Sequence, residues 1–417
     1  MIKKTTKRVL TKRGVMWLGQ TCNQRCYFCY FIKRIEDHKH PEHAFMSLDK
    51  AKTICDTLRY FYGNTAIDIQ GGEPTIYPDI LELIAYCRDI GLYPTLITNG
   101  LALAKPGEIE KYRDAGLRDF LVSLHGVGDL HDEVVRVPGA YDKIRRAVEQ
   151  MQTLAFPFRI NCTMSKPVIP LLPEVARHAI EYGAYAVNFI AFNPFEDQTA
   201  GGRCADTVPR YSEAREHLTK AIALLEEAKV EVNVRYLPLC MAEDSHRKNF
   251  YNFQQLSYDT HEWDYQSWAW SMRPPQLRKE GGVMPPFLLG GPYSRDLRSG
   301  DSFYIRDHYE RSPVVQGLKF KGHRRLTLLI QRIRGLERIY REEARYRAAA
   351  DCSYQYHEAC NACAARNICD GFHGDYAGIF GTDEATPIEA AHGIDDPTYY
   401  IRKQEKTVEP EDASWAL

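Results

Sequence analysis

No stretch of this 417-residue chain approaches the roughly 18 consecutive apolar residues of a membrane span, so no transmembrane segment is expected. The sequence also lacks a surplus of either charge. Its 54 lysines and arginines stand against 55 aspartates and glutamates, a formal net charge of −1, so the molecule as a whole is no polyanion binder. The opening MIKKTTKRVLTKRG is basic but is not followed by an apolar core, which excludes a secretory signal and points to the cytoplasm. A long, unexported chain is not a disulfide scaffold. What the sequence has instead is 12 cysteines that need another explanation. Hydrophobic residues at 44% and charged residues at 26% describe a globular protein large enough for one big domain and a smaller one.

Four of the cysteines, Cys55, Cys87, Cys162 and Cys204, stand singly and read as small buried hydrophobes. The other eight are Cys22, Cys26, Cys29, Cys240, Cys352, Cys360, Cys363 and Cys369. The first three lie within TCNQRCYFC, on one short loop where three thiolates can converge. What this trio lacks is a fourth partner. A structural zinc site takes four ligands, and a fully capped iron–sulfur cluster takes four cysteines. The next cysteine, Cys55, falls inside a predicted helix. Three thiolates on a cube of four irons leave one iron open to bind something else.

Short apolar, β-branched or aromatic runs recur at 14–19, 66–70, 93–98, 119–126, 158–164 and 186–192, and read as strands. Amphipathic stretches such as 47–63, 78–92 and 139–154 separate them. Six β–α units in a row predict parallel strands with right-handed crossovers, in a full or partial (β/α) barrel or a doubly wound sheet. In either, functional groups gather at the C-terminal strand ends. The cysteine trio follows the first strand, QGGEP the second, TNG the third and SLHG the fourth, so four unusual loops share one rim.

These residues resemble the radical SAM superfamily. Its signature is a Cys-x3-Cys-x2-Cys loop with an aromatic before the last cysteine, here Phe28, after the first strand of a partial (β/α)6 TIM-like barrel. The resemblance extends to Gly71, Gly72, Glu73 and Pro74, which match the family's GGEP stretch. It implies that Cys22, Cys26 and Cys29 hold a [4Fe-4S] cluster whose free iron chelates S-adenosylmethionine (SAM). The GGEP segment would receive the methionine ammonium, with Glu73 as a carboxylate partner. Thr98, Asn99 and Ser123 would contact the methionyl or ribose part. The implied reaction is reductive cleavage of SAM to a 5′-deoxyadenosyl radical that takes hydrogen from a substrate, fed by a flavodoxin- or ferredoxin-type electron donor.

Cys360, Cys363 and Cys369, followed by DGFHGDYAGIFG, look like the C-terminal auxiliary-cluster domain of the SPASM and twitch subfamilies. The full SPASM pattern has seven cysteines for two clusters, and this chain has at most five after the barrel. One auxiliary [4Fe-4S] cluster is the expectation. Cys240 is the favoured fourth ligand, with Cys352 or an open iron as alternatives. A zinc knuckle with His357 or His373 is the other reading of the segment.

The expected division is a basic segment at 1–13, the barrel at 14–238, an aromatic-rich insert and long helix at 239–350, the auxiliary-cluster region at 351–400 and an acidic, poorly ordered tail at 401–417. Residues 322–350 read as one helix of about 40 Å, with Leu326, Leu329, Ile330, Ile333, Leu336, Tyr340 and Ala344 on one packed face. Ten lysines and arginines against three glutamates at 319–347 make this segment a candidate contact for lipid or nucleic acid. The aromatic stretch 258–272, densest in HEWDYQSWAWSM, is a candidate pocket lining, with packing of a lid as the other reading.

Three functions follow. The first is a radical SAM enzyme on a small molecule, lipid or cofactor precursor. The second is a peptide or protein maturase, made less expected because Cys22 stands too near the start for a leader-binding module. His125 stands where many SPASM enzymes have an aspartate, so no acid role carries over to it. The third is a non-enzymatic metal- or nucleic-acid-binding protein, which leaves GGEP unexplained.

Overall fold

The computed structural model describes residues 4–6, 13–19, 21–29, 32, 43–61, 64–192, 204–256, 258, 352–407 and single positions between 325 and 349. Strand β1 (Lys4–Thr5) is followed by eight strands that form one sheet in chain order, all neighbours parallel. These are β2 (Arg13–Trp17), β3 (Ala66–Gln70), β4 (Tyr93–Thr98), β5 (Asp119–Ser123), β6 (Phe158–Met164), β7 (Ala186–Ala191), β8 (Glu231–Arg235) and β9 (Phe250–Tyr251). The partial TIM-like barrel is therefore present and runs two strands past the six expected. Of the two added strands β8 has five residues, as many as β2, β3 and β5, whereas β9 has only two, too few to carry an alternation signal.

Among the described residues seven α-helices lie between the strands in sequence: α1 (Leu48–Asp56), α2 (Ile80–Asp89), α3 (Glu108–Ala115), α4 (Asp129–Val135), α5 (Ala140–Thr153), α6 (Leu172–Glu181) and α7 (Tyr211–Glu227). Strand side chains alternate between faces. Ile67 and Ile69, Phe120 and Val122, Ile160 and Cys162, and Val187 and Phe189 join a single core with Ile84, Ile144, Val175 and Leu218 of the helices. The alternate positions, among them Asp68, Thr95, Asp119, Arg159, Asn188, Glu231 and Asn233, face the concave side and are buried there. Both faces are therefore covered, the helix side by apolar packing and the concave side by buried polar groups.

The concave floor is polar but internally neutralised. Arg13 Nη1 pairs with Asp68 Oδ1 at 2.8 Å, and Arg159 Nε with Asp119 Oδ2 at 2.7 Å. Burial alone would raise the Asp119 carboxyl, but Arg159, Arg118 and Arg13 hold it well below the usual carboxylate range. Lys406 Nζ reaches Glu231 Oε1 at 2.9 Å, and the Thr407 amide donates to Glu231 Oε2 at 2.7 Å. The final strand, β10 (Lys406–Thr407), pairs with β1.

Several expectations about the outer segments change. Arg13 belongs to the first sheet strand, where it is buried in its ion pair. The sheet continues through Tyr251. Residues 401–407 are packed: Ile401 is fully buried, and Gln404 Nε2 donates to Val232 O at 2.6 Å. The acidity that suggested a loose tail sits beyond them. The long helix is interrupted at Gly335, whose φ of 78° is left-handed. Before that break Leu329 and Ile333 are exposed, at 52% and 73%, where a packed face was expected. After it Ala344 and Ala348 pack with Phe253 and Cys352. Arg341 and Arg345 donate to Asp395 O and Asn367 O of this same chain at 2.7 and 3.1 Å, so neither is held out for an anionic surface. Of the 258–272 stretch only Tyr258 is described, and it is buried with its hydroxyl donating to Glu337; residues 259–272 lie outside the described residues. Among the described residues no helix is long and apolar enough to cross a membrane.

The C-terminal region docks on the barrel. The rings of Tyr211 on α7 and Tyr376 on α8 (Gly374–Phe380) stack at 3.6 Å, and Ala365, Ile368, Phe372 and Tyr376 join the main core. Asp370 bonds the strand-end turn both ways. Its Oδ2 accepts from the Phe253 amide at 2.7 Å, and its own amide donates to Asn252 Oδ1 at 2.8 Å.

Candidate functional site

The loop carrying Cys22, Cys26 and Cys29 leaves β2 and is pinned from two sides. The Arg25 and Tyr27 amides donate to Val135 O and Val134 O at the end of α4, at 3.1 and 3.4 Å. On the other side the Glu73 amide donates to Thr21 O at 2.8 Å. Gly72 makes this approach possible. Its φ is +60°, and a Cβ there would stand 2.0 Å from the Thr21 carbonyl oxygen. The cysteine loop and the glycine turn are thus in backbone contact, which their separation of some 50 residues does not show.

The three thiols face a common space. The Gln24 amide donates to Cys22 Sγ at 3.3 Å, and Asn99 Nδ2 stands 3.8 Å from the same sulfur while donating to Asn23 Oδ1 at 2.7 Å. Burial pushes the Cys22 thiol up to about 12, with the Glu73 carboxylate and Cys29 adding to the shift and the Gln24 amide opposing it. Burial raises Cys26 as well, and the neighbouring Cys29 and Cys22 add to it. Left to themselves these sulfurs stay protonated, and a cationic group is needed to make them thiolates. Among the described residues no three histidine, cysteine or carboxylate groups stand close enough to grip one ion. Three mutually interacting, half-buried thiols suit the wider frame of an iron–sulfur cube.

The Glu73 carboxylate is engaged within the chain. It is fully buried, and its Oε1 accepts from the Thr75 amide at 3.0 Å and from the hydroxyls of Thr75 and Thr98, both at 2.6 Å. Its Oε2 accepts from the Asn99 amide at 2.7 Å. Burial raises its pKa, and these bonds work against the rise. The side chain is a clasp between the second and third strand ends. Pro74 begins the short 3-10 turn that follows.

At the fourth strand end, Ser123 closes β5, and the ring of buried His125 lies 4.6 Å from that of Phe28 at 73°. The Thr163 amide donates to His125 Nδ1 at 3.1 Å, and the His125 amide donates to His131 Nδ1, also at 3.1 Å. Burial holds His125 down to about 3 and His131 to about 4, so both rings are neutral with hydrogen on Nε2. Arg136 escaped the sequence reading. It sits just past α4 at φ 58°, and its charge lowers the Cys26 thiol against the larger effect of burial. The signal was an arginine in DEVVRVPG, which resembles any exposed charge.

In the C-terminal region Cys240, Cys360, Cys363 and Cys369 come together. Burial raises Cys240, and its interaction with Cys360 and Cys363 adds to the rise; Cys369 is raised by burial and by Cys240. Backbone amides already point at the sulfurs. Leu239 N and Gly371 N donate to Cys369 Sγ at 3.5 and 3.4 Å, and Ile388 N to Cys363 Sγ at 3.3 Å. Cys352 is apart, in the apolar cluster of Phe253, Ala344 and Ala348. His357 and His373 are helix N-caps whose Nδ1 atoms accept from Ala359 and Asp375 amides at 3.1 and 3.2 Å. Of the single cysteines, Cys55, Cys87 and Cys162 are buried as expected, with Cys55 and Cys87 sulfurs 3.4 Å apart, whereas Cys204 is exposed.

Residues 18–192 match the radical SAM superfamily. Over 203 residues the chain is 29% identical to an AdoMet-dependent heme synthase of Oleidesulfovibrio alaskensis, covering 48% of this chain and 51% of that protein. It is 30% identical over 140 residues to a PqqA peptide cyclase of Bradyrhizobium diazoefficiens, 33% of this chain and 36% of that one. The chain therefore spans about half the length of the first relative and about a third of the second. Among solved structures, Streptococcus suis SuiB bound to precursor peptide SuiA aligns with a TM-score of 0.43 and 18% identity, over 54% of this chain and 48% of that one.

Proposed function

We propose that this chain, an enzyme of the radical SAM superfamily by its domain over residues 18–192, abstracts hydrogen from a small molecule, lipid or cofactor precursor. The carrying observation is the backbone contact of Gly72 with Thr21, which sets the three-cysteine loop against the glycine turn at one rim. In this reading Cys22, Cys26 and Cys29 hold a [4Fe-4S] cluster. Gly71, Gly72, Glu73, Pro74, Thr98, Asn99 and Ser123 border SAM, with Phe28 at its side. When bound, the reduced cluster and SAM supply a 5′-deoxyadenosyl radical, with methionine as the other product of S–C5′ cleavage.

The chain's own groups arrange the rest. Glu73 fixes the glycine turn and the Thr98–Asn99 end in one geometry, in which the carbonyls of the turn would receive the ammonium. Arg136 supplies positive charge beside the cysteine loop. The buried rings of Phe28, His125 and Phe192 keep water from that side of the chamber. Cys240, Cys360, Cys363 and Cys369 hold one auxiliary [4Fe-4S] cluster, and the amides directed at Cys363 and Cys369 stabilise their thiolates. Such low-potential chemistry suits a reducing compartment such as the cytoplasm, with a flavodoxin- or ferredoxin-type donor.

The test is oxygen-free reconstitution with iron and sulfide, followed by SAM and dithionite. The parent forms 5′-deoxyadenosine and methionine, and Cys26→Ala forms none. Zinc at the trio, or no 5′-deoxyadenosine from the parent, overturns the reading. A peptide substrate is the second reading, supported by the similarity to the PqqA peptide cyclase. Mass-spectrometric screening of peptides against small-molecule extracts separates the two.

A further inference from the structure

One row of the concave face has no part in the site above. The ladder pairs Ser123 with Asn161, Asn161 with Asn188, and Asn188 with Asn233 across β5, β6, β7 and β8. Residues paired this way lie side by side on the same face. Their sequence neighbours Ile160 and Cys162, Val187 and Phe189, and Val232 and Val234 all pack into the helix-side core, so the asparagines turn to the chamber. The row begins at Ser123, the strand end that borders the SAM site in the reading above.

The row is polar, yet incompletely bonded. Asn233 Nδ2 donates to Asn188 Oδ1 at 3.1 Å and to Glu231 Oε1 at 2.9 Å, and Lys406 Nζ donates to Asn233 Oδ1 at 2.9 Å. Asn233 is therefore anchored to the floor and orients Asn188. Asn188 itself is 1% exposed, and among the described residues its Nδ2 has no acceptor. On the next strand Asn161 Oδ1 is buried and has no donor. Buried side-chain amides are ordinarily satisfied, so a donor and an acceptor left over on adjacent strands ask for a third party.

Charge selects its nature. The ion pairs under the row, Arg159 with Asp119 and Lys406 with Glu231, neutralise each other. His125 above Ser123 is an uncharged ring. Arg235, two residues past Asn233, already has a partner in the chain. Among the described residues the charges flanking the row are engaged within the chain, which favours a neutral polar group over a carboxylate or ammonium. Neighbouring strands lie about 4.8 Å apart, a gap that an H–N–C=O edge can bridge with one hydrogen bond at each end.

We propose that Asn161 and Asn188, held by Asn233, bind the cis H–N–C=O edge of the substrate, as found in a lactam, an imide or a primary carboxamide. Asn161 Oδ1 accepts from the N–H and Asn188 Nδ2 donates to the carbonyl. This deepens the reading of the concave face as the substrate chamber and rests on it.

The test is saturation-transfer NMR on the reconstituted full chain without SAM or reductant, so its failure and that of the SAM-cleavage assay are read separately. Uracil probes a ring lactam, acetamide a carboxamide, and 1,3-dimethyluracil lacks the N–H. Binding of uracil or acetamide, whichever is tighter naming the source, is expected, with 1,3-dimethyluracil at least about tenfold weaker. Asn161→Leu and Asn188→Leu should each raise the Kd about tenfold. Asn188→Asp, which keeps the shape and removes the donor, should do the same, and unfolding midpoints near the parent's confirm that the variants fold. Absence of binding by both N–H probes, equal binding of dimethyluracil, or an unchanged Kd in folded variants overturns the proposal.

Discussion

A single hydrogen at Gly72 decides whether two loops can touch. Alanine there would bring a methyl carbon to 2.0 Å from the Thr21 carbonyl oxygen while holding φ at +60°, so the cysteine loop would have to retreat. Gly72→Ala is expected to lower SAM cleavage at least about tenfold, measured as 5′-deoxyadenosine in the reductive assay. His131 offers a test at the same scale. Burial holds it at about 4 and His125 at about 3, against 6.5 for the unfolded ring. As pH falls below 6.5 the unfolded chain takes up protons that the folded chain refuses. The stability from these neutral rings is complete above 6.5 and is lost as pH falls toward 4. His131→Gln should flatten the acid limb between about pH 6 and 4.5 by about 1.4 kcal/mol per pH unit, read by urea unfolding across that range.

Between elements, the Glu73 clasp has the largest reach, since one carboxylate gathers the turn after β3 and the end of β4. Glu73→Gln turns an NH2 toward one of its donors and should cost about 1–3 kcal/mol in urea unfolding, with weaker SAM binding by equilibrium dialysis. The strands were legible because short stretches rich in apolar and β-branched residues, such as AIDIQ, FRINCTM and AVNFIA, recur between amphipathic segments. The clasp was not, because a glutamate in GGEP looks the same whether it meets a ligand or three neighbours 2 to 26 residues away. The Asn161–Asn188–Asn233 row was invisible for a related reason. Register across strands is a property of the sheet, and no local pattern encodes it. Gly335 was in plain view inside the basic stretch, yet periodicity of the flanking leucines masked the break.

For the whole molecule, the C-terminal region and the barrel form one packed body through Tyr211, Tyr376 and the Asp370 bonds. Two cysteines stood as rivals for one position in the sequence, and only tertiary packing separates Cys240, beside the other three thiols, from Cys352 in its apolar nest. With two [4Fe-4S] clusters the reconstituted protein should bind about eight irons, falling toward about four in Cys240→Ala and staying near eight in Cys352→Ala, by iron and sulfide analysis. Cys363→Ala should keep uncoupled SAM cleavage while losing product. The pairing of β1 with β10 carries a practical corollary. Both extremities of the described fold are stitched together beside Glu231, at the start of β8, whereas the cysteine loop leaves the end of β2. A surface support or fluorescent label attached through either extremity would leave the reactive mouth facing open solution.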